Sequence, residues 1–585
     1  MKSFFKNVLA NIVAIVILCA VFFFFFIMMV AIGSMSGEKS VTVKKNSVLT
    51  INLNTDIIDS PTEDQQSIFN VNNKNTSVLI YDVLEAVKKA KEDDNIKGIS
   101  IEVDNLNAGI TQIDDLRNAI QDFKKSGKFV YAYGNVVSQG SYYLGSVADQ
   151  YYLNPAGGID LKGLATEVVF FKDFAEKYGI GIEVIRHGKF KSAVEPFLRN
   201  DISPENKEQL STLLNDIWSN TSSKIAASRK MDAVQFKTIV DSLYGMIPDQ
   251  SLKYKLADKL IQKTEYDKMI RAKLSLKEDD KLNKISLNKY IDSFFDKDQS
   301  GEKVAVLYAS GSINSGDEYG DIYSEKYIKY IKALQDDKKV KAVVLRINSP
   351  GGSANASDEI LFELQQLQKT KPLVVSFGDY AASGGYYIAM AADKIYSEPN
   401  TLTGSIGVFG VMPYFKDIAN KNGVRSDIVA TNANSAFYSS LNGLTPYGVN
   451  LMTRSVEGTY KRFVHFVTEN RKKSFEEIDN VGGGRVWSGT RAKQIGLVDE
   501  LGSLEDAVKF AAQKAGLKKS YSVSSYPKRM TAFEQIFQDL NEDDLSARVI
   551  KNKIGKANYE ILQQITDEKL KSEVKMEMPY QIKIN

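Results

Sequence analysis

The chain repeats itself. Shifted by 244 positions, KGISIEV (97–103) falls on KAVVLRI (341–347), Gly134 on Gly378, and GSYYLGSVADQYYLNP (140–155) on GGYYIAMAADKIYSEP (384–399). Agreement in three separated blocks at one offset marks a duplication, so whatever fold is chosen must fit both halves. Each half alternates short β-branched runs with amphipathic stretches. These are Ile99 to Val103, Ile113 to Lys124 and Phe129 to Tyr133 in the first half, and Val343 to Ile347, Asp358 to Leu367 and Leu373 to Phe377 in the second. That rhythm is βαβ, and right-handed crossovers turn it into a mostly parallel sheet covered by helices. The expected class is therefore α/β, present twice in tandem: a first copy over 47–290 and a second over 301–525, joined through the Lys- and Asp-rich stretch 277–298. At 585 residues the chain exceeds one ordinary core, which agrees with two domains. The tail 526–585 is polar and charged with scattered apolar residues, and no chemistry is legible in it.

Ahead of the repeats, every residue from Ile12 to Ile32 is apolar. Twenty-one helical residues reach about 32 Å, enough for the ~30 Å hydrocarbon layer, so residues 8–32 are expected to form a single transmembrane anchor in contact with membrane lipid. A cleaved signal peptide fits less well, because its apolar region is usually about 7–15 residues and no A-x-A site follows here. Lysines at positions 2, 6, 39, 44 and 45 flank the segment on both sides and leave its orientation open. The only cysteine, Cys19, lies inside it, which excludes disulfides and cysteine-bound metal from the rest of the chain. With 75 basic against 72 acidic residues the net charge is +3, and no electrostatic footprint for nucleic acid is present. Neither a phosphate-binding G-x-x-x-x-G-K-[ST] loop nor an H-E-x-x-H zinc motif occurs, so no cofactor and no metal are expected.

Duplicated halves that share one active site should differ at the catalytic positions. In the second copy the strand ending at Phe377 runs into GDYAASGGYY (378–387), which sets Ser383 among small residues at a strand-to-helix turn. Such a turn exposes a hydroxyl, and the amide of Gly384 at the helix start can face a developing oxyanion. NSPGGS (348–353) follows the preceding strand, and its Gly351 or Gly352 can bring a second amide close. The first copy has DNLNAG (104–109) in place of NSPGGS and Gln139 in place of Ser383. Glutamine is no nucleophile, so only the second copy can supply that step. For the base, the chain has just two histidines. His465 lies in the amphipathic stretch YKRFVHFVTEN, while His187 lies in VIRHGKFKSAVEPF (184–197) close to two lysines.

Five motifs, KSAVEPF (191–197), NSPGGS (348–353), ASGGYY (382–387), TLTGSIGVFG (401–410) and GRVW…GLVDELG (484–502), resemble the signal peptide peptidase A family in its long, two-copy form. The resemblance covers nearly the whole chain. It implies two tandem ClpP/crotonase-like domains and a serine protease that degrades leftover signal peptides. The nucleophile would come from the second copy, at Ser383, and a lysine base from the first, at Lys191. The resemblance also sets Ser405 in TGSIG near that lysine as an orienting hydroxyl. It further implies a homo-oligomer, a tetramer, in the bacterial inner membrane, with the catalytic domains on the non-cytoplasmic side. The residues agree on the division of labour: 244 positions after Lys191 stands Ser435, so the second copy lacks the lysine as the first lacks the serine.

An exposed lysine with a pKa near 10.4 is neutral in only about one molecule in two or three thousand at pH 7, so Lys191 is expected to be desolvated between the halves. Two other readings share the fold: a crotonase-type acyl-CoA enzyme, which needs no paired serine and lysine, and a non-catalytic membrane scaffold that binds peptides.

Overall fold

The apolar run VKAVVLRINS of the second copy is buried almost throughout, as a strand inside a parallel sheet must be. The computed structural model describes residues 6, 11–25, 41–52, 56–61, 77–277, 280–294, 301–318, 320–518, 521–528 and 575–578. Among them are two mostly parallel sheets. The first runs Lys259–Leu260, Gln150–Ile159, Phe129–Val137, Ile96–Ile101, Ser47–Ile51 and Lys284–Ser286, all pairs parallel. The second runs Val486–Ser488, Leu402–Gly404, Leu373–Ala382, Val340–Ser349, Lys303–Ser310 and Ser522–Tyr526, with only Val486–Ser488 antiparallel to its neighbour on this path.

The offset of 244 reproduces helices residue for residue. Ile80–Glu92 corresponds to Ser324–Asp336, and Ile110–Lys124 to Ala354–Gln368. Each buries one stripe against its sheet: Ile113, Leu116, Ile120 and Phe123 in the first copy, Ile360, Leu364 and Leu367 in the second, spaced at three and four residues. Ser353 caps the latter helix, its hydroxyl accepting the Ala356 N–H at 3.3 Å.

A third sheet joins the halves and does not respect the boundary between the copies. Its order is Ile322–Tyr323, Ile313–Asn314, Gly351–Ser353, Lys575–Glu577, Phe409–Tyr414 and Gly181–Arg186. The last strand belongs to the first copy and pairs antiparallel with Phe409–Tyr414 of the second. Arg346 of the second copy, fully buried, bonds both carboxylate oxygens of Asp59 of the first. Asp216 on helix Pro204–Ser228 holds Ser488 at 2.7 Å and Arg491 at 2.5 Å.

The expected anchor over 8–32 lies only partly within the described residues. Residues 11–25 are helical, with Ile12, Val16, Leu18 and Phe22 to Phe25 exposed. No helix among the described residues is long and apolar enough to cross a membrane.

Candidate active site

Ser383 sits between the end of strand Leu373–Ala382 and the helix Gly384–Ile388, with φ 56° and ψ −115°. A side-chain-bearing residue held there stores roughly 1–3 kcal/mol, so the surroundings must over-determine it. They do: the Ser383 N–H donates to the Gly404 carbonyl and the Ser383 carbonyl accepts the Tyr387 N–H, both at 2.8 Å.

Lys191 reaches this serine from the first copy. Its segment is stitched into the second: the His187 N–H donates to the Val408 carbonyl at 3.0 Å and the Phe190 N–H to the Gly483 carbonyl at 3.1 Å. Glycine makes the passage possible. A Cβ on Gly484, at φ +85°, would lie 2.6 Å from the Lys191 Cβ, and one on Gly407 would lie 3.2 Å from its Cδ. The Lys191 Nζ ends 2.8 Å from the Ser383 Oγ, 3.0 Å from the Ser405 Oγ and 3.2 Å from the Ser405 carbonyl oxygen. Both Lys191 and Ser383 are fully buried. Desolvation lowers the amine's pKa to about 7, against the opposing charge of Glu577. A neutral amine has two N–H groups and one lone pair. If the two Ser405 oxygens take the N–H groups, the lone pair is left for the Ser383 hydroxyl.

The three glycines singled out from the sequence differ in their surroundings. The Gly351 N–H already donates to the Ser349 Oγ at 3.1 Å. Gly352 pairs with Ile313 on one side and stands opposite Met576 on the other. The Gly384 amide nitrogen lies 2.7 Å from where a Cβ on Gly351 would stand, so these backbones crowd one spot.

The tail, in which the sequence showed no chemistry, supplies a strand to this spot. Lys575–Glu577 pairs antiparallel with Gly351–Ser353 on one edge and meets Phe409 on the other. The Met578 N–H donates to the Pro350 carbonyl at 2.7 Å. The alternation of an antiparallel ladder then makes Gly352 and Met576 the next hydrogen-bonded pair, with the Gly352 N–H facing the Met576 carbonyl. That oxygen also lies 3.2 Å from the Cβ position of Gly384. Met576 is buried in the main core of the second copy, and Met578 packs with Leu213, Ile217, Ala382, Leu402 and Val486. The one sequence signal was the polar-apolar alternation of KMEM, short for a strand.

The remaining candidates sit elsewhere. His187 stacks on Tyr460 with ring centroids 3.6 Å apart, and its Nδ1 lies 2.7 Å from Glu457. His465 is exposed beside Glu469. Glu195, four residues after Lys191, accepts from the Ser203 Oγ at 2.5 Å and the Asn206 Nδ2 at 3.1 Å. In the first copy the Gln139 Oε1 takes the amides of Lys162 and Gly163, at 3.1 and 2.9 Å. Ser435 lies in an exposed turn. An open cleft of about 570 Å³, lined by Lys88, Asp115, Glu398 and Lys509, contains neither Ser383 nor Lys191, whose own groove is filled by the tail strand.

The model of Peptidase family S49 matches this chain twice, over residues 122–277 and 365–518, and that of Clp protease matches residues 296–403. The chain is 36% identical to Protease 4 of Salmonella typhi over 79% of its own length and 76% of the relative's. It is 34% identical to Protease 4 of Haemophilus influenzae over 85% and 84%. It is also 32% identical to the chloroplastic serine protease SPPA of Arabidopsis thaliana over 82% and 71%. Two ClpP-like α/β halves, a buried serine at a strained turn and matches of this extent lead to one conclusion: the chain belongs to peptidase family S49 and is a serine peptidase.

Proposed function

We propose that this chain is a membrane-anchored endopeptidase that cleaves apolar peptides, such as the remnants of signal peptides, with Ser383 as nucleophile and Lys191 as general base. The observation that carries the reading is the 2.8 Å contact between a buried amine and a buried hydroxyl supplied by different halves. With its pKa near 7, about half of the lysine is neutral at that pH and can accept the Ser383 proton. The Ser383 Oγ attacks the peptide carbonyl while the Gly352 and Gly384 N–H groups stabilise the oxyanion. Lys191 returns the proton to the leaving amine, and water releases the acyl group by the reverse sequence. Ser405 holds the amine in place through two oxygens.

The tail strand supports the substrate's pose. A peptide that takes its place lies antiparallel to Gly351–Ser353, with the carbonyl of the cleaved bond where the Met576 oxygen sits and apolar side chains where Met576 and Met578 sit. The exposed apolar helix over 11–25 and the unbroken apolar run to Ile32 support an anchor that presents this groove to hydrophobic segments. Resemblance supports the bacterial inner membrane as its site, with the catalytic halves on the non-cytoplasmic face.

The test is cleavage of an extended apolar peptide by the purified chain. Ser383→Ala and Lys191→Ala should each lower kcat at least ~1000-fold, whereas His187→Ala should retain appreciable activity. Retention of cleavage by both dyad variants would overturn the assignment.

A further inference from the structure

The groove beside Ser383 does not end at the cleaved bond. In the pose drawn from the tail strand, the carbonyl of that bond stands where the Met576 oxygen sits, so Glu577 and Met578 mark the first and second residues beyond it. Alternation along the strand turns Met576 and Met578 to one side, where both are buried, and leaves Lys575 and Glu577 half-buried. The two methionines enter different surroundings. Met576 joins the main core of the second copy, whereas Met578 packs with Leu213, Ile217, Ala382, Leu402 and Val486. The first two of those come from the other half of the chain.

Leu213 and Ile217 are one turn apart on helix Pro204–Ser228, so they share a face. Polar residues fasten the helix on either side of them. The Gln209 Oε1 accepts the Val486 N–H at 2.7 Å, Asp216 holds Ser488 and Arg491, and the Asn220 amide donates to the Asn400 Oδ1 at 2.9 Å. The opposite wall is equally fixed, because strands Leu373–Ala382, Leu402–Gly404 and Val486–Ser488 lie side by side in one sheet. All five side chains are aliphatic, and the backbone beside them offers the Pro350 carbonyl, which accepts the Met578 N–H at 2.7 Å.

We propose that this pocket selects the second residue after the cleaved bond. It takes an apolar side chain of methionine or leucine size together with a free backbone N–H, and Leu213 and Ile217 of the first copy are its specificity-determining residues. The inference deepens the proposed peptidase reading and rests on it for the place of the cleaved bond. It narrows the substrate class to apolar peptides that continue at least two residues past the cut, which excludes removal of single C-terminal residues. A charged side chain in the pocket loses its water without gaining a partner, and proline has no N–H for the Pro350 carbonyl. Substrate and transition state make this contact alike, so the preference resides mainly in KM.

The experiment uses the full chain and a series of apolar peptides identical except at that second position. Methionine or leucine there should give a kcat/KM at least ~100-fold above aspartate or proline. A peptide that ends one residue after the bond should be cleaved as poorly as the proline peptide. Leu213→Glu should favour lysine over methionine at that position, and Leu213→Ala, which keeps the fastening polar residues, should move the optimum toward phenylalanine. Amide hydrogen exchange read by mass spectrometry adds a readout that needs no cleavage. Met578→Asp should speed exchange across residues 575–578 at least ~10-fold, while Met578→Leu should leave it near the parent's. Equal cleavage across the series, an unaltered preference in both Leu213 variants, or equal exchange in Met578→Asp and Met578→Leu overturns the inference. Failure of the dyad reading shows separately, as cleavage that survives Ser383→Ala.

Discussion

At Lys191 one physical term does two jobs. Burial that brings the amine to Ser383 also removes the water that would keep it charged, and its pKa falls from 10.5 to about 7. If the amine is the base, kcat/KM for an apolar peptide should rise about tenfold per pH unit below 7 and level off above it. A profile flat from pH 5 to 9 would remove the lysine from the mechanism. The same shift has a stability sign. The folded-state pKa lies below the unfolded value, so the folded chain binds fewer protons between about 7 and 10.5, and stability should rise with pH across that window. The penalty for burying the ammonium is fully present below about 7. Lys191→Met should therefore abolish cleavage yet raise the thermal midpoint, and raise it more at pH 6 than at pH 9.5. Ser383 was legible because the first copy has Gln139 at its counterpart, whereas Lys191 came from the family resemblance, with Ser435 at its own counterpart agreeing. Gly407 and Gly484, which leave room for the lysine stem, were not legible, since neither shows its purpose until Lys191 lies against it.

Among the elements, the strand Lys575–Glu577 carries the clearest consequence. It fills the gap between Gly351–Ser353 and Phe409–Tyr414, the place where an extended peptide would complete the sheet. A substrate in the proposed pose must displace it. Removing residues 575–585 should lower KM for short apolar peptides severalfold with kcat changed less, and an unchanged KM would show that the strand does not compete. Glu577 adds a second readout, because its charge raises the amine's pKa. Glu577→Gln, which removes the charge and keeps the strand in place, should move the rising limb of the pH profile toward lower pH. The long helices and central strands were legible because their apolar periodicity repeats at one offset in both copies. The tail strand was not, because a short segment carries little pattern and its partners lie more than 160 residues away. The exchange of Gly181–Arg186 into the second copy's sheet escaped for a related reason: periodicity announces a strand but not which half it joins.

For the molecule as a whole, the halves are held partly by charge among buried side chains. Arg346 of the second copy bonds Asp59 of the first, and its other donors go to the Ser376 hydroxyl at 2.9 Å and the Phe377 carbonyl at 2.6 Å. Beside it, Asp115 from the first copy and Glu398 from the second are both buried. Desolvation pushes Asp115 up to about 7, helped by the charges of Asp114 and Asp59 and opposed by Arg346 and the hydrogen bond with Glu398; desolvation and Asp115 push Glu398 well above the usual range, against the pull of Arg346. Both are acids whose folded pKa exceeds an unfolded value near 4; for Asp115 the folded chain therefore binds more protons between about 4 and 7, and Glu398 acts in the same direction. Stability should fall as pH rises through that window, opposite in sign to the contribution of Lys191 and adjacent to it. Asp115→Asn, uncharged at every pH and similar in shape, should raise stability at pH 8 by about 1–3 kcal/mol in denaturant unfolding and flatten the decline between pH 5 and 7. An unaltered slope in that variant would mean the carboxyls are ionised in the folded chain. The lysine window would then stand alone, with stability level below pH 7 and rising above it.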